Sequence, residues 1–266
     1  MTRNLLLVLL LLSSLSRAQT HRFMFHLGAN KAALPTVDTQ SELSLFIPVN
    51  SSFGDYKYPV TIRQQFSGKV GFDLGAKADF ILTERFFITT GFQASYVRYQ
   101  KSATIENFPT DIGSVGTIFT GIPASTPTGS LIFKPAPSGN NAVTLNSGDG
   151  STSLWYLQIP VMAGTSFLHS KLVVRAGAIF SVLAYASEKK TRYSLAAPYT
   201  SETYKDTDKS AYQEFQAGVA LDATYFIWPR MGIDLSLNHS LTSLYGDQSK
   251  PRMCTVSLGL NYCIHR

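Results

Sequence analysis

Residues 66–99 read FSGKVGFDLGAKADFILTERFFITTGFQASYVRY. Every second residue from Phe66 is apolar or small: Phe66, Gly68, Val70, Phe72, Leu74, Ala76, Ala78, Phe80, Leu82. Between them stand Ser67, Lys69, Gly71, Asp73, Gly75, Lys77, Asp79 and Ile81. After Thr83-Glu84-Arg85 the alternation restarts, with Phe86, Ile88, Phe92, Ala94 and Tyr96 on one face and Thr89, Gly91, Gln93 and Ser95 on the other. Side chains of a strand alternate between faces, so this is a β-hairpin with about sixteen residues in each arm. Strands of soluble domains run about five or six residues. A membrane-spanning strand needs roughly 9–11, and hairpins of transmembrane barrels often project beyond the bilayer.

The N-terminus points to the same compartment. Arg3 precedes an unbroken apolar run over residues 5–12, and Ser16-Arg17-Ala18 places small residues where a signal peptidase reads. We expect a signal peptide over residues 1–18, cleavage after Ala18, and a single barrel domain over 19–266. The apolar run is far short of the roughly twenty residues of a spanning helix. With no cysteine after the cleavage site, no lipid attachment is expected there.

Charged residues make up 15% of the chain and aromatic residues 12%. Both values suit a barrel whose lipid-facing and interior residues average out, and equally a secreted β-sandwich. Losing Arg3 and Arg17 lowers the formal charge from +6 to +4, and no basic cluster accompanies it, so nucleic acid is not an expected partner. Cys254 and Cys263 are nine apart in one expected strand. That places them about 30 Å apart on opposite faces, and we read both as free thiols.

The same alternation recurs along the chain. Strands are expected over residues 21–30, the two arms of the 66–101 hairpin, 153–167, 172–187, 211–227, 231–244 and 252–265. Residues 31–65 form an irregular connection with Pro35, Pro48 and Pro59, in which 43–49 could add a strand or pack over the barrel mouth. Pro160 cannot donate to a ladder, so a bulge or kink is expected there. Tight turns fall at 83–85, His169-Ser170 and Trp228-Pro229-Arg230. Longer connections fall at 31–65, 102–152, 188–210 and 245–251, and the 102–152 segment is too long for an ordinary loop of a compact soluble domain.

Eight strands with short and long connections alternating describe an all-β, eight-stranded antiparallel up-and-down transmembrane β-barrel with long external loops. Greek-key crossings would not keep that alternation. Aromatic girdles are expected at both interfaces. Tyr96, Tyr99, Trp155, Tyr212 and Tyr245 fall at the outer one, and Phe80, Phe86, Phe167, Tyr225, Trp228 and Tyr262 at the periplasmic one.

On the face opposite the apolar one stand Lys69, Asp73, Lys77, Asp79, Arg175, Glu214, Asp222 and Asp234. An eight-stranded barrel is only wide enough for its own side chains, so these charges should pair with one another or with water. They form either a network that closes the lumen or an ion path. His239 and Ser240 invite a hydrolase reading, but adjacent strand residues point to opposite faces. His21, His26, His169 and His265 have no metal-ligand spacing. No catalytic residue, metal ligand or cofactor is expected. The long loops either bind a partner or only seal and shield the mouth.

Several segments resemble the PorT-like outer-membrane β-barrel family of Bacteroidota: Gly28-Ala29-Asn30, Gly71-Phe72-Asp73-Leu74-Gly75, Tyr156-Leu157-Gln158-Ile159-Pro160-Val161, and Val256-Ser257-Leu258-Gly259-Leu260-Asn261-Tyr262. The resemblance spans the mature chain. It implies an integral outer-membrane protein in contact with outer-membrane lipid and the barrel-insertion machinery. Some members are linked to protein export, which would make an envelope or secretion protein the partner. The expected function is a non-enzymatic binding or assembly platform acting through external loops. The alternatives are a narrow pore or small-solute transporter and, more weakly, a lipid A-modifying enzyme.

Overall fold

The computed structural model describes residues 21–49, 52–83, 85–106, 118–119, 144–145, 151–168, 170–193, 201–246 and 251–265. The expected leader and most of the 102–152 connection lie outside them. The described residues form no helix; they form twelve strands. In chain order these are β1 (His21–Ala33), β2 (Val37–Val49), β3 (Ser52–Ile81), β4 (Phe86–Glu106), β5 (Ile118–Phe119), β6 (Thr144–Leu145), β7 (Ser151–Phe167), β8 (Leu172–Tyr193), β9 (Ser201–Asp206), β10 (Phe215–Phe226), β11 (Met231–Ser240) and β12 (Cys254–His265).

Eight of them close a ring in the order β1-β3-β4-β7-β8-β10-β11-β12, every neighbour antiparallel, with β12 pairing back onto β1. The ring is therefore the expected meander, and closure leaves it no free edge. The other four strands extend it. β2 folds back along β3 from Val37↔Gln64 to Val49↔Ser52, so much of the 31–65 connection expected to be irregular is a hairpin, and the strand that 43–49 could add is present and starts earlier, at Val37. β9 pairs β8, making a hairpin of part of the expected polar connection, and β5 and β6 add two-residue pairings.

Polarity is inverted relative to a soluble domain. Phe25, Leu27, Phe72, Leu74, Phe92, Ile159, Val182, Leu221, Leu235 and Leu258 face outward and exposed, while Asn30, Asp73, Asp79, Gln93, Arg175, Asp222, Asp234 and Asn261 are buried inside. An apolar belt that wide needs a lipid solvent.

Two half-rings differ in length. β10, β11, β12 and β1 have 12, 10, 12 and 13 residues, close to a bilayer crossing. The contiguous β3, β4, β7 and β8 have 30, 21, 17 and 22. They share the level of the tight turns with the others, so the excess projects entirely from the long-connection end as a one-sided wall.

Bulges decide which residues face inward. The β3–β4 register shifts between Lys69 and Phe72, so Val70 and Gly71 stand against Val97 alone. Inserting one residue flips the parity. Phe66 and Gly68 thus face inward rather than to lipid, and Lys69 is exposed instead of lining the lumen. A Cβ at Gly71 would lie 1.9 Å from the Tyr96 carbonyl oxygen, so this bulge requires glycine. Pro160 keeps its register with Ile179, and the β4–β7 ladder pauses only between Thr90↔Val161 and Gln93↔Gln158. The shift in β7–β8 falls instead beside Trp155, where Ala184 is the extra residue. Both cysteines are free, Cys263 buried and Cys254 half-buried.

Candidate functional site

At the tight-turn end, seven ring strands converge on Arg175. This β8 residue is fully buried; its Nη1 donates to Asp222 Oδ1 and Thr224 Oγ1, both at 2.8 Å, and its Nη2 donates to Asp79 Oδ2 at 3.2 Å. Asp79 also accepts Thr89 Oγ1 at 2.7 Å and lies 3.5 Å from Arg22 Nε. The guanidinium groups of Arg22 and Arg175 sit 4.9 and 5.6 Å from the centre of the Phe87 ring. Gly164 leaves room for that ring, since a Cβ there would lie 2.2 Å from it.

Lys77 pairs with Asp222 and stands 3.6 Å from Asp234 Oδ2. Asp234 Oδ1 accepts Thr224 Oγ1 at 2.6 Å and Asn261 Nδ2 at 2.9 Å, while His26 Nδ1 is 3.3 Å from its Oδ2. Each ionic group here has an opposite charge within 4 Å, and most add hydrogen bonds, the arrangement that offsets desolvation in so narrow a space. The network ties β3 to β8 through Asp79 and Arg175 and, directly across the ring, to β10 through Lys77 and Asp222.

Above it lies a mixed middle level. Gln158 Nε2 donates to Ser181 Oγ at 3.2 Å, and Gln216 Nε2 to Tyr156 Oη at 3.1 Å. The cavity bordered by Gln158, Ser181, Gln216 and Thr255 holds about 30 Å³, no more than a couple of water molecules.

The third level is apolar and aromatic. Tyr99, Tyr156, Tyr212, Tyr245, Leu154, Leu183, Leu244, Val97 and Met253 form one buried cluster. Tyr99 Oη lies 3.4 Å from Tyr245 Oη, and the Tyr212 and Tyr245 rings stand 5.4 Å apart. Burial, with Glu188 beside it, pushes the Tyr212 phenol up, so it is neutral at any ordinary pH. Lys101 pairs with Glu188 at the rim of this level.

Of the expected lumen charges, Lys77, Asp79, Arg175, Asp222 and Asp234 come together in one network, and Asp73 lies above it with Asn30 and Ser95. Glu214 does not join them. It precedes β10, outside the alternation, and is exposed beside Lys209 Nζ at 3.0 Å. Tyr99, Tyr212 and Tyr245 are buried in the lumen rather than in the outer girdle. Tyr96 and Trp155 do stack outward with Phe72, with centroids 4.8–5.3 Å apart. Arg22, His26, Asn261 and Lys101 belong to the interior as well. The parity of their strands carries that signal, because each stands two or four residues from an inward neighbour.

A family model described as "Outer membrane protein beta-barrel domain" matches residues 18–246. The chain belongs to that family. As an outer-membrane β-barrel it resides in the bacterial outer membrane, its tight turns at the periplasmic end. Among curated proteins no sequence matches it. Solved structures similar to this barrel include Ail, the attachment invasion locus protein of Yersinia pestis (8% identity, 92% of this chain and 100% of that one, TM-score 0.39). Neisserial surface protein A shares 13% identity over 92% of this chain and 99% of that one, TM-score 0.38. The outer membrane protein OprG of Pseudomonas aeruginosa shares 7% over 93% and 97%, TM-score 0.41.

Proposed function

We propose that this is a non-enzymatic, PorT-like outer-membrane barrel, exported on a cleaved leader, that serves as a binding or assembly platform on its external side for an envelope or secretion protein. One contrast carries the reading. The lumen is filled at three successive levels, while β2–β4 and β7–β9 stand as a wall above the membrane on one side only. A filled barrel offers solutes no route, and a rigid wall is where loops can be held for recognition. Cleavage after Ala18 and the link to export belong to this proposal.

A hydrolytic role finds no support at His239 and Ser240. They lie on opposite faces of β11, and Ser240 Oγ donates to the Thr242 carbonyl at 2.8 Å. The test is a crosslinking pull-down from native envelopes. A variant with residues 37–60 and 107–143 replaced by short turns is expected to keep its heat-modifiable migration and lose the partner that the full chain retains. Equal recovery of that partner by both proteins would overturn the proposal.

A further inference from the structure

The interior charges do not balance. Among the described residues each buried or rim anion has a cation within 4 Å except one. Asp79 has Arg22 and Arg175, Asp222 has Lys77 and Arg175, Asp234 has Lys77, and Glu188 has Lys101. Those are four anions against four cations. Asp73 is the fifth anion, 1% exposed, and its contacts are neutral: Ser95 Oγ donates to its Oδ1 at 2.5 Å and Asn30 Nδ2 at 2.7 Å. Its Oδ2 has no hydrogen-bond partner.

Two neighbouring oxygens share that condition. Asn30 Oδ1 and Ser257 Oγ, on side chains 2% and 1% exposed, also have no partner. Strand pairing brings the three residues together. Asn30 stands opposite Ser257 across β1–β12, and Asp73 opposite Gly28 across β1–β3. Gly28 lets side chains close in between them: a Cβ there would lie 3.1 Å from Ser257 Oγ and 3.0 Å from His26 Nε2. Beside it Gly259 makes room for the His26 ring, since a Cβ at Gly259 would come within 2.6 Å of His26 Cε1.

We infer that Asp73, Asn30 and Ser257 form a lumenal binding site for one monovalent alkali cation. A carboxylate, a carboxamide carbonyl and a hydroxyl are hard oxygen donors, the set that alkali and alkaline-earth ions take. A single carboxylate decides between those two. One positive charge cancels the excess on Asp73, whereas a divalent ion would leave an uncompensated charge in a low-dielectric interior. The bound ion closes the charge balance of the lumen and ties β1, β3 and β12 together at the seam where the ring closes.

The test uses the full mature chain refolded in detergent, with thermal midpoints read from loss of the heat-modifiable band. It compares sodium, potassium and choline chloride at equal ionic strength and pH 7.5. Sodium or potassium is expected to raise the midpoint over choline by about 2–4 °C. The increment should vanish in Asp73→Asn and shrink in Ser257→Ala, which removes one oxygen and disturbs no charge, so the second variant decides if the first fails to fold. Equal midpoints in all three salts would overturn the inference. So would stability that rises with falling pH and ignores the salt, since that would assign the missing charge to a proton on His26 or Asp73.

Discussion

The two ends of the lumen close by different chemistry. At the periplasmic end Arg175 is held by Asp79, Asp222 and Thr224 within a web of side chains from seven strands. At the external end Tyr99, Tyr156, Tyr212 and Tyr245 pack with Leu154, Leu183 and Leu244, joined by few polar contacts. An eight-stranded ring must be filled, and either filling does it. Their tolerances differ. Removing one member of the ionic web strands a buried charge, whereas trimming the aromatic cluster leaves a cavity whose cost depends on how far the neighbours relax. The external closure is therefore the one that can loosen beneath the projecting wall, and the periplasmic one the clamp.

Five substitutions would sharpen or break that contrast, each followed by urea unfolding of the folded band in lipid vesicles. Arg175→Ala leaves Asp79 and Asp222 short of a partner and is expected to cost about 3–5 kcal/mol. A cost no larger than a surface change would mean the web does not hold β8 to β3. Leu154→Ala in the upper cluster is expected to cost about 3 kcal/mol, and a much smaller value would show that the external end repacks freely. Tyr99→Phe removes a long contact to Tyr245 and a hydrogen bond with Tyr212 and should cost about 1 kcal/mol; a much larger loss would make the upper level a polar network like the lower one. Lys69→Ala and Glu214→Ala, at exposed positions, should each stay within about 0.5 kcal/mol. If either approaches the Arg175 value, the parity assigned to β3 or the start of β10 is wrong.

The smallest effect belongs to the wall. Arg63 donates to Asp38 across β2–β3 at 3.0 and 3.2 Å and holds that exposed carboxyl below its usual range. A depressed carboxyl contributes above its unfolded pKa, and the contribution goes as pH falls through the lower folded value. Protection factors in β2, taken against the intrinsic base-catalysed exchange rate, should thus be unchanged between pH 6 and 8 and change little in Asp38→Asn. Strong acceleration in that variant would show that the ion pair, rather than the ladder, holds the wall.

Most of the barrel was legible because a period of two is a local property. Residues 72–81 and 86–96 display it without interruption, and the meander follows from the turn spacing. A parity argument fails wherever one residue is inserted. The bulge at Val70-Gly71 returned Lys69 to the outside and Phe66 to the inside, and nothing in FSGKVG marks which glycine takes it. Glu214 was misplaced because alternation was carried one residue past the start of β10. The lumen partners were legible in part: Asp79, Asp222 and Arg175 share a face by parity. Which of them meet depends on the register of strands far apart in the chain. The tyrosines at 99, 212 and 245 sit at the height a girdle requires, and only the inward side of the pleat distinguishes a plug from a belt.

The central claim is that the lumen is closed at both ends and the protein works from its external side. Single-channel recording of the refolded full-length barrel in planar bilayers tests it most directly. The expected record shows insertion without discrete conductance steps. Reproducible single-channel steps, surviving in the intact protein and altered by Arg175→Ala, would contradict it.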